Sequence, residues 1–210
     1  MEPYVDVVSI QKDYSCTEKA DGERYMMFIS KNGDVYFMNS RLNLYATGLK
    51  HSSMKSCLVD GEYITKGKLN TKLDMFMCFD CYTFQGKDIR NKYLPDRLDA
   101  IRKILHDWET KEPISQLKEF FYGSESIVLD TKKCLEKSTT YPYHTDGLIF
   151  TPLYLSPGAL YKNDVTMKPF GGTWNRVFKW KPPEENTIDV LVKFGEECIV
   201  ENEQGVQQKS

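Results

Sequence analysis

The lysine at position 19 lies in the stretch EKADGER, where an amine, several carboxylates and a guanidinium surround one glycine. A lysine with an ordinary pKa of about 10.4 is a poor nucleophile at neutral pH, and neighbouring cations or burial make it a better one. Such cations occur in the stretch RVFKWKPP, where Lys179 and Lys181 would share one face of a strand. Because three amines facing one pocket repel one another unless an anion lies among them, the pattern predicts a triphosphate site.

Carboxylates lie beside glycines in two other stretches. Asp60 and Glu62 would share one strand face in LVDGEYI, and Asp146 opens the otherwise apolar stretch in HTDGLIFTP. The neighbouring glycines permit the close approach of a ligand or of a second backbone. Several carboxylates beside a phosphate site indicate a hard divalent cation that takes oxygen ligands and keeps bound water.

Arg24 and several aromatic residues complete the set of candidates. Arg24 offers a fork of donors suited to a ribose hydroxyl or a phosphate, and Tyr25, Phe79 and Tyr82 are candidates to present a ring to a base. Each feature also has a plain structural interpretation, since paired lysines are usually solvated and an aromatic in an apolar run is usually core. The order of all these motifs along one chain is much harder to obtain by chance than any one of them.

Length, charge and cysteine content limit the class of protein. A chain of 210 residues suits one domain with a substantial core, and a formal net charge of −2 leaves nucleic-acid contacts to local patches. The sequence has no membrane-length apolar run and no signal peptide, so we expect an intracellular, cytoplasmic protein without a membrane partner. Six cysteines fit no secreted scaffold. We expect buried free thiols, with Cys78 and Cys81 on opposite strand faces and without enough partners for zinc.

The hydrophobic pattern indicates mostly strands. They are predicted over VDVVSI, YSCTEK, RYMMFIS, DVYFMNS, CLVDGEYIT and DMFMCFDCYTF, with a hairpin turn at Asn32-Gly33. Helices are predicted over LPDRLDAIRKILHDWE and over PISQLKEFFYG, and strands resume with SIVLD, GLIFT, RVFKW and IDVLVKF. Residues 153–173 form a long connection of the kind that is often functional. This order predicts an α+β fold with largely antiparallel sheets and two or more helices.

These motifs, in this order, resemble those of the covalent nucleotidyltransferases, the superfamily of mRNA capping guanylyltransferases and of ATP- or NAD-dependent polynucleotide ligases. EKADGER resembles the first motif, LVDGEYI the third, FDCYTFQGKDIRNKYLPDRL the segment after it, HTDGLIFTP the fourth and VFKWKPPEENTID the fifth. Asp146, where ligases usually carry glutamate, and the string FKWKPPEENTID favour capping enzymes. The connection before the fifth motif resembles that of capping enzymes from large DNA viruses.

The resemblance implies a reaction and a set of roles. Lys19 would attack the α-phosphate of GTP, release pyrophosphate and hold GMP through a phosphoramidate until a 5′-diphosphate RNA end accepts it as GpppN. Asp146 and Glu62 would serve Mg²⁺ or Mn²⁺, Phe79 would stack on guanine, and Arg24 with Glu62 would hold the ribose. The nucleotide-binding residues that the resemblance implies are Arg24, Asp60, Glu62, Phe79, Lys132, Lys133, Lys179 and Lys181, of which Lys132 or Lys133 would read guanine O6.

The resemblance also bears on domain organisation. The family continues into an OB-fold lid with a sixth motif, for which this chain has no room after the fifth. We therefore expect a nucleotidyltransferase domain over 1–195 and, over 196–210, an acidic and polar tail or the start of a linker to an OB-fold domain. Triphosphatase and methyltransferase domains would be joined to it, in the host cytoplasm or the virion if it is viral. Two alternatives stay open: the adenylation domain of an ATP-dependent RNA or DNA ligase, and a non-catalytic nucleotide- or RNA-binding module.

Overall fold

The computed structural model describes residues 8–106, 108, 113–160, 174–185, 199–201 and 207–209. The strands are β1 Tyr14–Ala20, β2 Glu23–Ile29, β3 Asp34–Asn39, β4 Leu44–Lys50, β5 Cys57–Lys66, β6 Lys72–Phe84, β7 Lys87–Asp88, β8 Ile114–Leu117, β9 Thr145–Pro152, β10 Phe178–Trp180, β11 Ile199–Glu201 and β12 Gln207–Lys209. The α-helices are α1 Leu94–His106 and α2 Ile127–Ser138. Neither of these helices is long and apolar enough to cross a membrane.

The larger sheet has seven strands in the order β4-β3-β2-β5-β6-β7, with β8 beside β6. All its pairs are antiparallel except β6 with β8. The turn between β2 and β3 contains Asn32 and Gly33, and Gly33 has a φ of 89° that suits glycine. The predicted hairpin and the predicted α+β fold with largely antiparallel sheets are therefore confirmed.

One face of the larger sheet is covered by α1. Leu98, Ile101 and Ile104 of this helix are fully buried, as the helical period predicts, in one cluster with strand residues that include Met27 and Val59. Burial of each such side chain contributes about 1.5–3 kcal/mol. The helix therefore holds the central strands β2, β5 and β6 as a rigid platform.

The smaller sheet has three strands in the order β1-β9-β10. On one side, Cys134 of α2 packs with Cys16 and Leu148. Ala20 at the end of β1 shares another buried cluster with Ile64 of β5 and with Tyr143. The end of β1 therefore lies where the two sheets meet.

Two predictions in the middle of the chain are wrong. Residues 114–117 form strand β8 rather than a helix, because their backbone pairs in parallel with β6. The second helix is instead α2, which begins in the stretch SIVLD that was predicted as a strand. The buried residues of α2 are Asp130, Cys134 and Ser138, spaced four apart, so its inner face is polar or small and carries little hydrophobic signal.

Strand β6 has three irregularities opposite β5, one of them between Ile64 and Lys66 near the turn, and the other two are bulges that bear on the site. Asp60 pairs with Asp80 while Gly61 pairs with Cys78, so Phe79 is an extra residue on β6. Tyr82 is extra in the same way, since Val59 pairs with Cys81 and Leu58 with Thr83. Bulges re-aim side chains, and these two place aromatic rings on the face of the sheet that carries Asp60.

The first bulge corrects one expectation about the cysteines. It resets the alternation of side chains, so Cys78 and Cys81 both lie in the main core rather than on opposite faces. The five described cysteines are free and buried, as expected.

Some predicted segments lie partly or wholly outside the described residues. The strand predicted over VDVVSI is described only from Val8, and no strand begins there. The strand predicted over IDVLVKF and residues 161–173 of the long connection are not among the described residues. Where a tail or linker was expected, β11 and β12 pair with each other in antiparallel. The expected boundary at 195 stays a prediction.

Candidate active site

Lys19 and Lys181 both contact the carboxylate of Asp146, near the start of the central strand of the smaller sheet. Lys19 Nζ donates to both oxygens of Asp146 at 2.7 and 2.9 Å, and Lys181 Nζ lies 2.7 Å from Asp146 Oδ2. The central strand β9 pairs with β1 on one edge and with β10 on the other, so residues far apart in sequence meet. Two ammonium groups on one carboxylate leave a net positive charge, which suits an anion.

The acidity of Asp146 reflects these contacts. Burial alone would raise its pKa, but the hydrogen bonds and charges of Lys181 and Lys19 outweigh burial and hold the pKa below its ordinary value. Asp146 is therefore ionised at neutral pH and keeps both amines at the site.

Gly147 allows β10 to come close to Asp146. Its φ is +142°, and a Cβ at this position would lie 2.0 Å from Trp180 O and 3.1 Å from Lys181 Cα. Any side chain here would collide with the backbone of β10. The glycine of the fourth motif is therefore needed because two backbones are in contact.

The larger sheet contributes a second charged group. Arg24 on β2 donates from Nε to Asp60 Oδ1 at 3.0 Å and from Nη2 to Asp60 Oδ2 at 2.5 Å, and the Tyr82 hydroxyl donates to Asp60 Oδ2 at 2.7 Å. The hydrogen bond to Asp60 raises the pKa of Arg24, so the guanidinium stays charged. Arg24 is oriented by a fully buried carboxylate while its own side chain is 60% exposed. It is thereby fixed and still accessible to a ligand.

Phe79 lies between two cations. Its ring centroid is 6.0 Å from Arg24 Cζ and 5.8 Å from Lys118 Nζ. The ring is half-buried rather than part of the core, because Phe79 is the extra residue of the first bulge. This placement fits the predicted role of stacking on a base.

Glu62 connects the two sheets electrostatically. Burial raises its pKa, and the positive charges of Lys118 and Lys19 oppose that shift. Its backbone lies opposite that of Arg24 in the antiparallel register of β2 and β5. The charges of Lys118 and Lys19 therefore act on Glu62, and its predicted roles at the ribose and the metal stay predictions.

Sequence reasoning missed a buried polar group beside Lys19. Lys118 Nζ lies 3.3 Å from Glu18 Oε1 and donates to Glu18 O at 3.2 Å, while the Tyr143 and Thr17 hydroxyls donate to the same carboxylate at 3.1 and 2.8 Å. Lys118 was assigned to a helix that does not exist, which hid its position. The available signal was an acidic residue in the buried strand β1, since a buried carboxylate requires a partner.

Three of the predicted lysines do not join this group. Lys179 is exposed on β10 opposite Ile149, and only Lys181 reaches Asp146. Lys132 and Lys133 lie on the exposed side of α2, where Lys133 Nζ donates to Ser124 Oγ at 2.8 Å. No contact among the described residues joins these three lysines to Lys19, Arg24 or Glu62. Their predicted roles stay predictions.

The sequence matches one family along most of its length. The pattern described as "mRNA capping enzyme, catalytic domain" covers residues 8–183. A probable mRNA-capping enzyme of Acanthamoeba polyphaga mimivirus is 29% identical over 245 aligned positions, covering 88% of this chain and 20% of the relative. The mRNA-capping enzyme of African swine fever virus (isolate Pig/Kenya/KEN-50/1950) is 26% identical, with 86% and 18% covered, and that of Danio rerio is 27% identical, with 88% and 31% covered. The chain thus spans only 18% to 31% of these relatives.

Solved structures share the fold. A structure from a study of Lig E DNA ligases has a TM-score of 0.50 and 17% identity, covering 97% of this chain and 78% of that one. A mycobacterial DNA ligase D complexed with ATP and MES has a TM-score of 0.50 and 13% identity, with 73% and 52% covered. These likenesses concern the fold, whereas the sequence match covers all the contacts of Lys19, Arg24 and Asp146 described above. The chain therefore belongs to the family of mRNA capping enzyme catalytic domains.

Proposed function

We propose that this domain is a guanylyltransferase that carries GMP on Lys19 and passes it to the 5′-diphosphate end of an RNA. The observation that carries the proposal is the pair of amines, Lys19 and Lys181, held on the single carboxylate of Asp146. Such a group attracts a phosphate and presents one amine to it. The family to which the chain belongs supports the choice of GTP and RNA as substrates.

In the first step, the ammonium group of Lys19 releases a proton to solvent, and the resulting neutral amine attacks the α-phosphorus of GTP. The N–P bond forms, the bond from the α-phosphorus to the bridging oxygen breaks, and pyrophosphate leaves with that electron pair while the amine loses one proton to solvent. Lys181 stabilises the charge that develops on the α-phosphate oxygens. In the second step, the terminal phosphate of the RNA attacks the same phosphorus and the lysine nitrogen leaves, taking up a proton.

The remaining residues bind and orient the nucleotide. Phe79 stacks on the base, and Arg24, fixed by Asp60, donates to the ribose or a phosphate. Glu62 accepts from the ribose. All three project from the platform strands β2, β5 and β6, so the nucleotide would lie between the two sheets.

Mg²⁺ or Mn²⁺ fits this site together with the substrate. Asp146 and Glu62 are oxygen donors of the kind that such cations prefer, but the described residues contain no group of three or more potential ligands. Phosphate oxygens and water would complete the shell. The cation would supply charge neutralisation on the phosphates, with Asp146 and Glu62 as its protein ligands.

The whole protein's partners are a further part of the proposal. The chain matches only 18% of the African swine fever virus enzyme and 20% of the mimivirus enzyme. OB-fold, triphosphatase and methyltransferase domains in the same polypeptide would agree with that difference in length.

Covalent labelling tests the proposal. The protein is incubated with GTP or ATP labelled at the α-phosphate and with Mg²⁺, denatured, and examined for bound label. We expect label from GTP that is lost in acid and retained in base, as a P–N bond requires, and transferred to a 5′-diphosphate RNA. Equal or better labelling from ATP would assign the domain to a ligase, and no label from either would leave a binding module.

A further inference from the structure

The turn between β5 and β6 carries an unusual pair of lysines. Lys66 and Lys72 lie directly opposite each other in the antiparallel ladder, and both are exposed. Like charges in directly opposed positions destabilise a strand pair. No carboxylate among the described residues forms an ion pair with either lysine, and Asp74, the acid two residues further along β6, is hydrogen-bonded by the Tyr63 hydroxyl. The pair therefore keeps an uncompensated positive charge.

The position of this pair relates it to the active site. Glu62, Ile64 and Lys66 alternate along β5 and so lie on one face of the strand. Ile64 is buried against Ala20 and Tyr143, where the two sheets meet. Lys66 lies beyond this contact, about 13 Å along the strand from Glu62. The lysines are thus at the end of the face that carries the nucleotide-binding carboxylate.

The turn is also fixed in place. Gly67 bridges to Tyr143, Lys68 N donates to Pro142 O at 2.8 Å, and Lys68 Nζ donates to Thr139 O at 2.8 Å. The tip itself holds Leu69 and Asn70 at φ values of 60° and 56°, a conformation that asparagine tolerates and that is unfavourable for leucine. A strained turn that is anchored three residues before Asp146 keeps its lysines at a defined position relative to the Lys19 amine.

We propose that Lys66 and Lys72 bind the phosphodiester backbone of the acceptor RNA, downstream of the 5′ end that receives GMP. This inference rests on the proposed function for the identity of the acceptor. An RNA strand brings to the turn the anion that the opposed lysines lack. Because Lys66 lies about 13 Å along β5 from Glu62, we assign the two lysines to RNA phosphates outside the reaction centre rather than to the phosphates of GTP.

The test compares a double variant with a matched control. K66Q/K72Q removes both charges, keeps the side-chain stems and relieves the repulsion, so it folds at least as stably as the wild type in thermal unfolding. K31Q/K55Q removes two other exposed lysines, at the end of the sheet where β5 begins. The probe is a fluorescent 5′-diphosphate RNA of about 20 nucleotides, whose binding is followed by anisotropy over a range of salt concentrations.

We expect K66Q/K72Q to bind this RNA roughly tenfold more weakly at low salt, and the slope of log affinity against log salt to fall by about 1.4, since each phosphate contact to a single strand contributes about 0.7. K31Q/K55Q should match the wild type. Equal weakening in both double variants, or no weakening in either, overturns the proposal.

The two half-reactions separate RNA from GTP as the source of the phosphates. K66Q/K72Q should label with GTP as fast as the wild type, transfer GMP more slowly to subsaturating long RNA, and transfer normally to a 5′-diphosphate dinucleotide. Slower labelling with GTP would assign the lysines to its phosphates and overturn the proposal. If the wild type fails to label at all, the proposed function fails, whereas the anisotropy result still decides whether this turn binds RNA.

Discussion

The neighbouring residues Glu18 and Lys19 of β1 belong to two lysine–carboxylate groups that differ in exposure and in net charge. Lys19 and Asp146 have side chains that are 21% and 19% exposed, and Asp146 shares its charge with Lys181. Glu18 and Lys118 have side chains that are 0% and 2% exposed, and two hydroxyls also donate to Glu18. The first group has an excess of positive charge and access to solvent, whereas the second is closed.

This difference shows how one strand serves two purposes. Successive residues of a strand point to opposite faces, so β1 directs Glu18 into the protein and Lys19 toward Asp146. The buried pair fixes β1 against Lys118 and Tyr143, and the open pair keeps a reactive amine beside β9. A nucleophile on a rigid strand is held more precisely than one on a loop.

The largest effect is expected at the open pair, formed by Lys19 and Asp146. Lys19→Ala removes the only amine that we assign as nucleophile, so covalent labelling from GTP should disappear while thermal unfolding stays close to that of the wild type. Lys12→Ala, which changes an exposed lysine just before β1, is the matched control and should label normally. Label retained by the Lys19→Ala protein would show that another residue carries the nucleotide.

Substitution in the closed pair, formed by Glu18 and Lys118, should lower the free energy of unfolding. Lys118→Met leaves Glu18 buried without its cation and is expected to lower the free energy of unfolding by about 3–5 kcal/mol. Lys19→Met should lower it by less than about 1 kcal/mol, because its pair is partly exposed and Asp146 keeps Lys181. Urea unfolding at neutral pH measures both values. Equal losses in the two variants would contradict the distinction between an open and a closed pair.

Phe79 sharpens the comparison because its ring borders the closed pair while its proposed partner is the nucleotide at the open one. Phe79→Leu should weaken GTP binding by about 1–3 kcal/mol, or roughly 5- to 150-fold, with little effect on the labelling rate at saturating GTP. The dependence of labelling on GTP concentration measures this. Phe28→Leu, at an exposed ring further along β2, serves as control. A lower rate at saturation with unchanged binding would show that Phe79 does not stack on the base.

The smallest expected effect concerns acid stability. The pKa of Asp146 is lower in the folded protein than its ordinary value of about 3.9, so the unfolded chain binds more protons and folding stability falls as the pH falls. The stabilisation from Asp146 should be complete above about pH 5 and should decline progressively as the pH falls through the ordinary value toward the lower pKa of the folded protein. The difference in unfolding free energy between the wild type and Asp146→Asn, measured from pH 7 to pH 3, should therefore shrink in acid. A difference that grows as the pH falls would show that folding raises the pKa of Asp146 rather than lowering it.

The sequence predicted the parts of the fold where local pattern and tertiary context agree. The Asn32-Gly33 hairpin and α1 carry their signals within a few residues. Residues 114–117 do not, because β8 exists through its pairing with β6. The helical face of α2 is hidden by Asp130 and Ser138, which are buried and polar.

The site divides in the same way. Lys19, Arg24, Glu62 and Asp146 were predicted as site residues from short motifs. The ion pairs among them, such as Asp60 with Arg24 and Asp146 with Lys181, depend on strand order. Strand order also decides that Lys181, and not Lys179, is the partner of Asp146. Lys118 has no motif at all. Its role arises from a buried carboxylate one hundred residues earlier in the chain.

The backbone contact at Gly147 has a consequence for altering this domain. The backbone of Gly147 lies against the backbone of Trp180 and Lys181, and this contact sets the position of Lys181. The side chains of Phe178, Lys179 and Trp180 are all exposed. The exposed side chain of Trp180 is therefore open to redesign, for example to attach a reporter or a tether, without moving the amine that we propose neutralises the phosphate. One methyl group at position 147 would do the opposite, leaving every functional group of the site present while separating the two strands that bring them together.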